Sequence, residues 1–154
     1  MSPILFALGV AVVAAPAPAA GPLQVTSRIL VERRIAASDG TTRIVTSATG
    51  RHAPGDRLVV ELAYRNTGPR PIADLVLADP VPTALAYQAP AEGSPVPELS
   101  VDGVRFAALA DLIVTSPTGP RPARADDVIA VRWRLPGALP AGASGTLSFR
   151  AVLR

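Results

Sequence analysis

The sequence predicts an all-β chain of antiparallel strands, folded as a sandwich or barrel, and three observations carry that prediction. Apolar and polar residues alternate with period two along most of the chain from Gln24 to Leu153, while helical periodicity is hard to find. Turn signals such as Asp-Gly, Pro-Gly and Asn-x-Gly break the alternation every 8–12 residues or so, a spacing of roughly sandwich or barrel type. Proline fills 17 of the 154 positions, which argues strongly against long helices.

The first 19 residues are set apart as a cleaved signal peptide. The apolar run from Ile4 to Ala15 is shorter than the about 20 residues that a bilayer span needs. Ala17-Pro18-Ala19 follows it in the A-x-A pattern that signal peptidase reads. No Lys or Arg precedes the run, so only the α-amino group supplies charge there, and a retained N-terminal anchor or a buried helix is the alternative. Cleavage after Ala19 leaves a single domain over residues 20–154, 135 residues long (154 minus 19). No later run is apolar enough to stop transfer. The expectation is an exported protein without a membrane span after cleavage, in the periplasm, outside the cell or on its surface.

Residues 25–36 and 41–48 read as an N-terminal hairpin. Both "QVTSRILVERRI" and "TTRIVTSA" alternate, and Ser38-Asp39-Gly40 lies between them. Asp-Gly in that setting is the strongest short hairpin signal, because a type I′ turn needs positive φ at both central positions. Pro54-Gly55 makes the next turn. Leu58, Val60, Leu62 and Tyr64 then share a core face, opposite Val59, Glu61, Ala63 and Arg65. Asn66-Thr67-Gly68-Pro69 ends that strand, since Asn and Gly tolerate left-handed φ and Pro cannot extend a ladder.

A strand over 72–78 is stopped by Asp79-Pro80-Val81-Pro82, and a short one over 84–88 leads into a loop by composition, "APAEGSPVPE". Asp102-Gly103 makes residues 99–106 a second, small hairpin. Residues 109–115 fit a strand or one helical turn. "SPTGPRPARADD" (116–127) is the longest loop and the segment expected to be most mobile. Ile129, Val131, Trp133 and Leu135 share the core face of the next strand, opposite Arg132 and Arg134. After a turn-rich link, Leu147, Phe149, Ala151 and Leu153 point inward on the last one. About seven to nine strands in this length suit two packed sheets. Trp133, whose in-phase neighbours are aliphatic, belongs at the core centre rather than on a binding surface.

Composition excludes several chemistries. The chain has no cysteine, hence no disulfide, thiol nucleophile or cysteine metal site, and its one histidine, His52, excludes any centre that needs two imidazoles. All 15 basic residues are Arg, set against 12 acids for a net charge of +3. They are scattered singly, apart from Arg33-Arg34 and Arg132-x-Arg134, and no aromatics are interleaved with them. That describes a solvated surface and not a nucleic-acid footprint.

The order "PGDRLVVELAYRNTG", "IADLVLADPVP" with "ALAY", "LSVDGVRF", "VIAVRWRL" and "LPAGASGTLSFRAVL" resembles the conserved-repeat family known as domain of unknown function 11, found in bacterial and archaeal surface and secreted proteins. The residues that carry the likeness are Pro54, Gly55, Asp56, Tyr64, Asn66, Gly68, Asp79, Pro80, Pro82, Asp102, Gly103, Trp133, Gly142 and Gly145, over residues 53–154. The family often occurs as tandem arrays, whereas this chain holds one copy preceded by the extra hairpin at 25–48. The resemblance implies an immunoglobulin-like fold and an envelope role, and it implies no catalytic residue.

A serine hydrolase would need a base, and His52 sits in a turn with no G-x-S-x-G elbow in the chain. Asp126-Asp127, Asp74 with Asp79, and Glu92 with Glu98 lie at strand ends or in loops, where carboxylates ordinarily fasten turns. Calcium is the more serious ligand, with Asp56, Asp126 and Asp127 as weak candidates on loops at one end of a sandwich. No catalytic residue and no cofactor are expected. The reading is a non-enzymatic, exported module with a structural or interaction role in the cell envelope. Its partner would be an envelope or surface protein or a polymer, met at a sheet edge or loop end, with the hairpin and residues 116–127 as the places of contact. A calcium- or carbohydrate-binding module is the alternative, and a small secreted hydrolase the more remote one.

Overall fold

The computed structural model describes residues 21–36, 38–47 and 53–154, so the proposed signal peptide and His52 lie outside the described residues. Ten strands occur among them: β1 (Leu23–Ala36), β2 (Thr42–Ser47), β3 (Arg57–Asn66), β4 (Val76–Pro80), β5 (Leu85–Pro90), β6 (Glu98–Ser100), β7 (Ile113–Ser116), β8 (Gly119–Pro122), β9 (Ala130–Arg134) and β10 (Ser144–Leu153). They form a five-stranded sheet in the order β2-β1-β3-β10-β5, a three-stranded sheet β4-β9-β6, and a separate β7-β8 ribbon. Every pairing is antiparallel. Among the described residues no helix is long and apolar enough to cross a membrane.

Alternation puts the core where the sequence places it. Across β3 and β10 the inward pairs are Leu62↔Leu147, Val60↔Phe149 and Leu58↔Ala151, all buried. Leu77↔Trp133 and Leu99↔Val131 form the facing layer. The layers meet at Trp133 and Phe149, whose ring centroids lie 6.4 Å apart, with Tyr87 a further 5.7 Å from Phe149. Trp133 is 3% exposed, and its indole N–H donates to the Pro95 carbonyl at 2.9 Å, so the one polar atom it buries has a partner.

Several elements differ from the sequence reading. The N-terminal hairpin forms, but not around a two-residue type I′ turn. Its closing pair is Ala36↔Thr42, and Gly40 has φ +80° while Asp39 does not have positive φ. Asp39 instead accepts from the Thr41 N–H at 2.9 Å and the Thr41 hydroxyl at 2.6 Å, an Asx-type fastening of a longer loop. The strand expected over 72–78 is broken, because Asp74 adopts φ +51° and Ile72 makes only a bridge to Leu139. Strand β4 starts at Val76 and runs through Asp79 and Pro80, the residues expected to stop it. Pro80 is tolerated because β4 is an edge strand, where a missing N–H costs no ladder bond.

The hairpin expected at 99–106 shrinks to a single bridge, Leu99↔Ala107, and β6 pairs with β9 instead. Residues 109–115 are both of the alternatives in turn, a 3-10 turn at Leu109–Asp111 and then β7. Residues 116–127 are not one long loop: they hold the end of β7, all of β8 and a 3-10 turn at Ala125–Asp127. Ile129 is 47% exposed rather than in the core, because the 3-10 turn feeds Val128 inward in its place. The strand count accordingly exceeds the expected seven to nine.

Candidate interaction surface

Strand β1 is the longest and has two different neighbours. It pairs with β3 from Leu23 to Val31 on one flank and with β2 from Val31 to Ala36 on the other. Beyond Val31 the β1–β2 hairpin therefore continues past the last pair with β3. Among the described residues no strand lies on the second flank of β1 from Leu23 to Leu30. Its N–H and C=O groups on that side alternate residue by residue with those used by β3.

The side chains beside this open flank are apolar on the inner face. Val25 lies opposite Tyr64 and Ile29 opposite Val60, so both share the face of the core, yet they are 44% and 43% exposed. Between them Ser27 donates to Asp79 Oδ2 on β4 at 3.1 Å, which places edge strand β4 beneath β1. Ile29 also borders a cleft of about 220 Å³ lined by Leu58, Pro82, Ala84, Leu85 and Leu153. The outer face of the same sheet is charged. Arg28 Nε donates to Glu61 at 2.6 Å, and Glu32 lies 3.3 Å from Arg150 in an ion pair.

The three calcium candidates do not converge. Asp56 accepts from the Ala53 N–H at 2.8 Å and fastens the turn before β3. Asp126 is exposed, and only its backbone carbonyl is engaged, by Arg154 at 2.7 Å. Asp127 takes both guanidinium nitrogens of Arg121, at 2.7 and 2.8 Å, and the Arg124 N–H at 2.8 Å. Among the described residues no group of three or more His, Cys, Asp or Glu is placed to hold a metal ion.

The Arg121 hydrogen bonds, helped by the Arg124 N–H, pull the Asp127 carboxyl from 3.8 down to about 2. A carboxyl lowered on folding contributes stability above its unfolded pKa, and that contribution is lost as pH falls through about 2. Asp127→Asn is thus expected to cost about 1 kcal/mol at pH 7, the upper range for a largely solvated pair with two-point geometry. The same variant should show a flatter loss of stability in acid when denaturation midpoints are compared across pH.

Two residues read as turn punctuation are buried. Asn66 is fully enclosed; its amide nitrogen donates to the carbonyls of Arg70, Leu139 and Pro140 at 2.7, 3.0 and 3.1 Å, and its Oδ1 accepts from the Gly68 N–H at 3.0 Å. Asp79 faces inward with Leu75, Leu77 and Val81. Carrying period two through Leu75 and Leu77 would have found it. Burial raises its pKa, and the Ser27 hydroxyl offsets this in part. A carboxyl raised on folding favours the folded state below its unfolded pKa and costs stability once pH rises through the folded value.

Tyr64 is half-buried, and its ring lies against Gly145, where a Cβ would collide with the phenol. Its hydroxyl makes no hydrogen bond among the described residues. Trp133, Tyr87 and Phe149 go to the core, and Phe106 is covered by the Arg132 guanidinium 4.2 Å above its ring.

The fold is an all-β chain of antiparallel sheets. Comparison with protein-family models, with curated proteins and with solved structures finds no match.

Proposed function

We propose that the chain is an exported, non-catalytic module with an immunoglobulin-like sandwich plan that works by contact in the bacterial cell envelope. The observation that carries the reading is the flank of β1 that no strand among the described residues pairs with, with exposed Val25 and Ile29 on its core-facing side. An unpaired strand edge with aliphatic side chains beside it is a template for another chain. The carboxylates point the same way by being occupied elsewhere: Asp56, Asp102 and Asp127 hold backbone N–H groups of their own turns. The family resemblance and the Ile4–Ala15 run with its Ala17-Pro18-Ala19 site support the envelope role.

The test is expression of the full chain in a bacterial host, N-terminal sequencing of the envelope fraction, and affinity capture at physiological salt. The reading expects a mature chain beginning at Ala20 and recovery of an envelope protein or polymer. An intact Met1 in the cytoplasm, with nothing captured, would contradict it. Calcium at millimolar excess is expected to leave the melting temperature unchanged, because only a ligand that binds the native state raises it.

A further inference from the structure

We propose that the cleft between β5, at the edge of the larger sheet, and β6, at the edge of the smaller one, binds a small neutral molecule, apolar except for a carbonyl that accepts from the Tyr87 hydroxyl. The proposal goes beyond the envelope role and does not depend on it, since described residues of this chain alone build the cleft, whatever compartment holds it.

Strands β5 and β6 each stand at one end of their sheets, and the cleft is lined from both. Its volume is about 470 Å³, within the roughly 300–1,000 Å³ of small-molecule sites. Pro90 of β5, Leu99 of β6, Leu109 of the 3-10 turn and Val96 of the loop before β6 form apolar walls. Val96 is 80% exposed and marks the mouth. The one charged residue on the walls, Glu98, is committed elsewhere. Its Oε2 is held by Arg132 at 2.7 Å and by Arg134 at 3.4 Å.

Tyr87 supplies the polar group. The residue is 3% exposed, with its ring centroid 5.7 Å from that of Phe149 in the core. Its hydroxyl makes no hydrogen bond among the described residues. Burial raises its pKa, and no hydrogen bond offsets the rise. Among the described residues Arg150 Nε is the one side-chain nitrogen or oxygen that is fully enclosed and lacks a partner. The Tyr87 hydroxyl, equally without a partner, is therefore not sealed into the core. It reaches accessible space, and Tyr87 borders this cleft. A buried ring with one unpaired hydroxyl at an apolar cleft leaves a single hydrogen bond for an occupant to complete.

These groups select the occupant. With Glu98 committed and no other charge on the walls, a charged ligand would lose hydration without meeting a counter-charge, so the ligand is neutral. A phenol donates more strongly than it accepts, and a ketone, ester or quinone carbonyl offers it lone pairs without bringing a donor of its own. The apolar walls take the rest of the molecule. A peptide strand would instead need the flank of β5, which ends at Pro90 and packs against the 3-10 turn at Ala125–Asp127.

The dye 6-propionyl-2-dimethylaminonaphthalene has this chemistry: it is neutral, carries one carbonyl, and its emission moves to the blue on leaving water. Titrated into the full chain, it should saturate at one dye per chain with a Kd below about 100 µM. Tyr87→Phe should weaken the dye about tenfold, the loss of one hydrogen bond, without lowering the melting temperature. The inhibition constant of 2-ethylnaphthalene, which has no acceptor, should be the same for both proteins. Val96→Asp at the mouth should also weaken the dye about tenfold, while the equally exposed Val104→Asp leaves it unchanged. Circular dichroism on each variant confirms that the sheets survive. No saturable binding at about 100 µM dye would overturn the proposal. So would binding indifferent to Tyr87→Phe, or equal losses on Val96→Asp and Val104→Asp. Dye sites that vanish as the chain is concentrated toward about 1 mM would give the cleft to a second copy and overturn it too.

Discussion

Asn66→Ala is expected to lower stability by about 3 kcal/mol, the sum of several buried polar groups losing a partner. One amide nitrogen holds three carbonyls from two loops, Arg70 on one side and Leu139 and Pro140 on the other, while its oxygen holds the Gly68 N–H. The backbone of Asn66 adds to the same junction, donating to the Ala143 carbonyl and accepting from the Gly142 N–H, both at 2.9 Å. Alanine keeps those two bonds and removes the side-chain four. Leu139 retains the Ile72 N–H as a partner, which limits the loss there. Asn66→Asp should cost more than alanine, because it aims a carboxylate at three carbonyl oxygens. Urea midpoints at constant slope measure both changes, and a loss under about 1 kcal/mol for alanine would remove Asn66 from the role of junction.

Trp133→Ala is expected to cost about 3–5 kcal/mol, the range for deleting a buried aromatic side chain from a close-packed core. The indole lies between the layers beside Phe149, and Val131 and Phe149 are themselves fully buried strand residues. Trp133→Phe should cost less, about 1–2 kcal/mol, combining lost volume with a Pro95 carbonyl deprived of its donor. Unfolding followed by denaturant resolves the two variants. A near-neutral alanine would place Trp133 outside the core.

The parts of the fold that could be read from the sequence are those where one face of a strand is buried and the other wet. Leu58-Val60-Leu62 and Leu147-Phe149-Ala151 declare themselves because burial imposes period two on the residues, and the structure pairs them in that register. Residues 113–122 were hidden for the opposite reason. A ribbon that pairs only with itself buries little, so Gly119-Pro120-Arg121-Pro122 carries loop composition while still making four ladder pairs. Asn66 was hidden because a residue that ends a strand and one that ties two loops together share the same side-chain chemistry. The N-terminal hairpin was legible as a place of contact, but not which of its edges lacks a neighbour. Periodicity reports which face of a strand is buried and says nothing about which flank is hydrogen-bonded, so only the ladder of β1 with β2 and β3 shows that no described strand pairs with residues 24–30 on the second flank.

The central claim is that, among the described residues, no strand pairs with the second flank of β1 from residue 24 to 30, which leaves that edge to another chain. Residue-resolved amide hydrogen exchange on the full chain tests it most directly, because antiparallel geometry sends alternate N–H groups to opposite flanks. The amides turned toward β3 should stay protected, as should the centres of β3 and β10. The alternate amides of 24–30 should exchange rapidly. Equal protection of both sets would mean the flank is already covered within the chain.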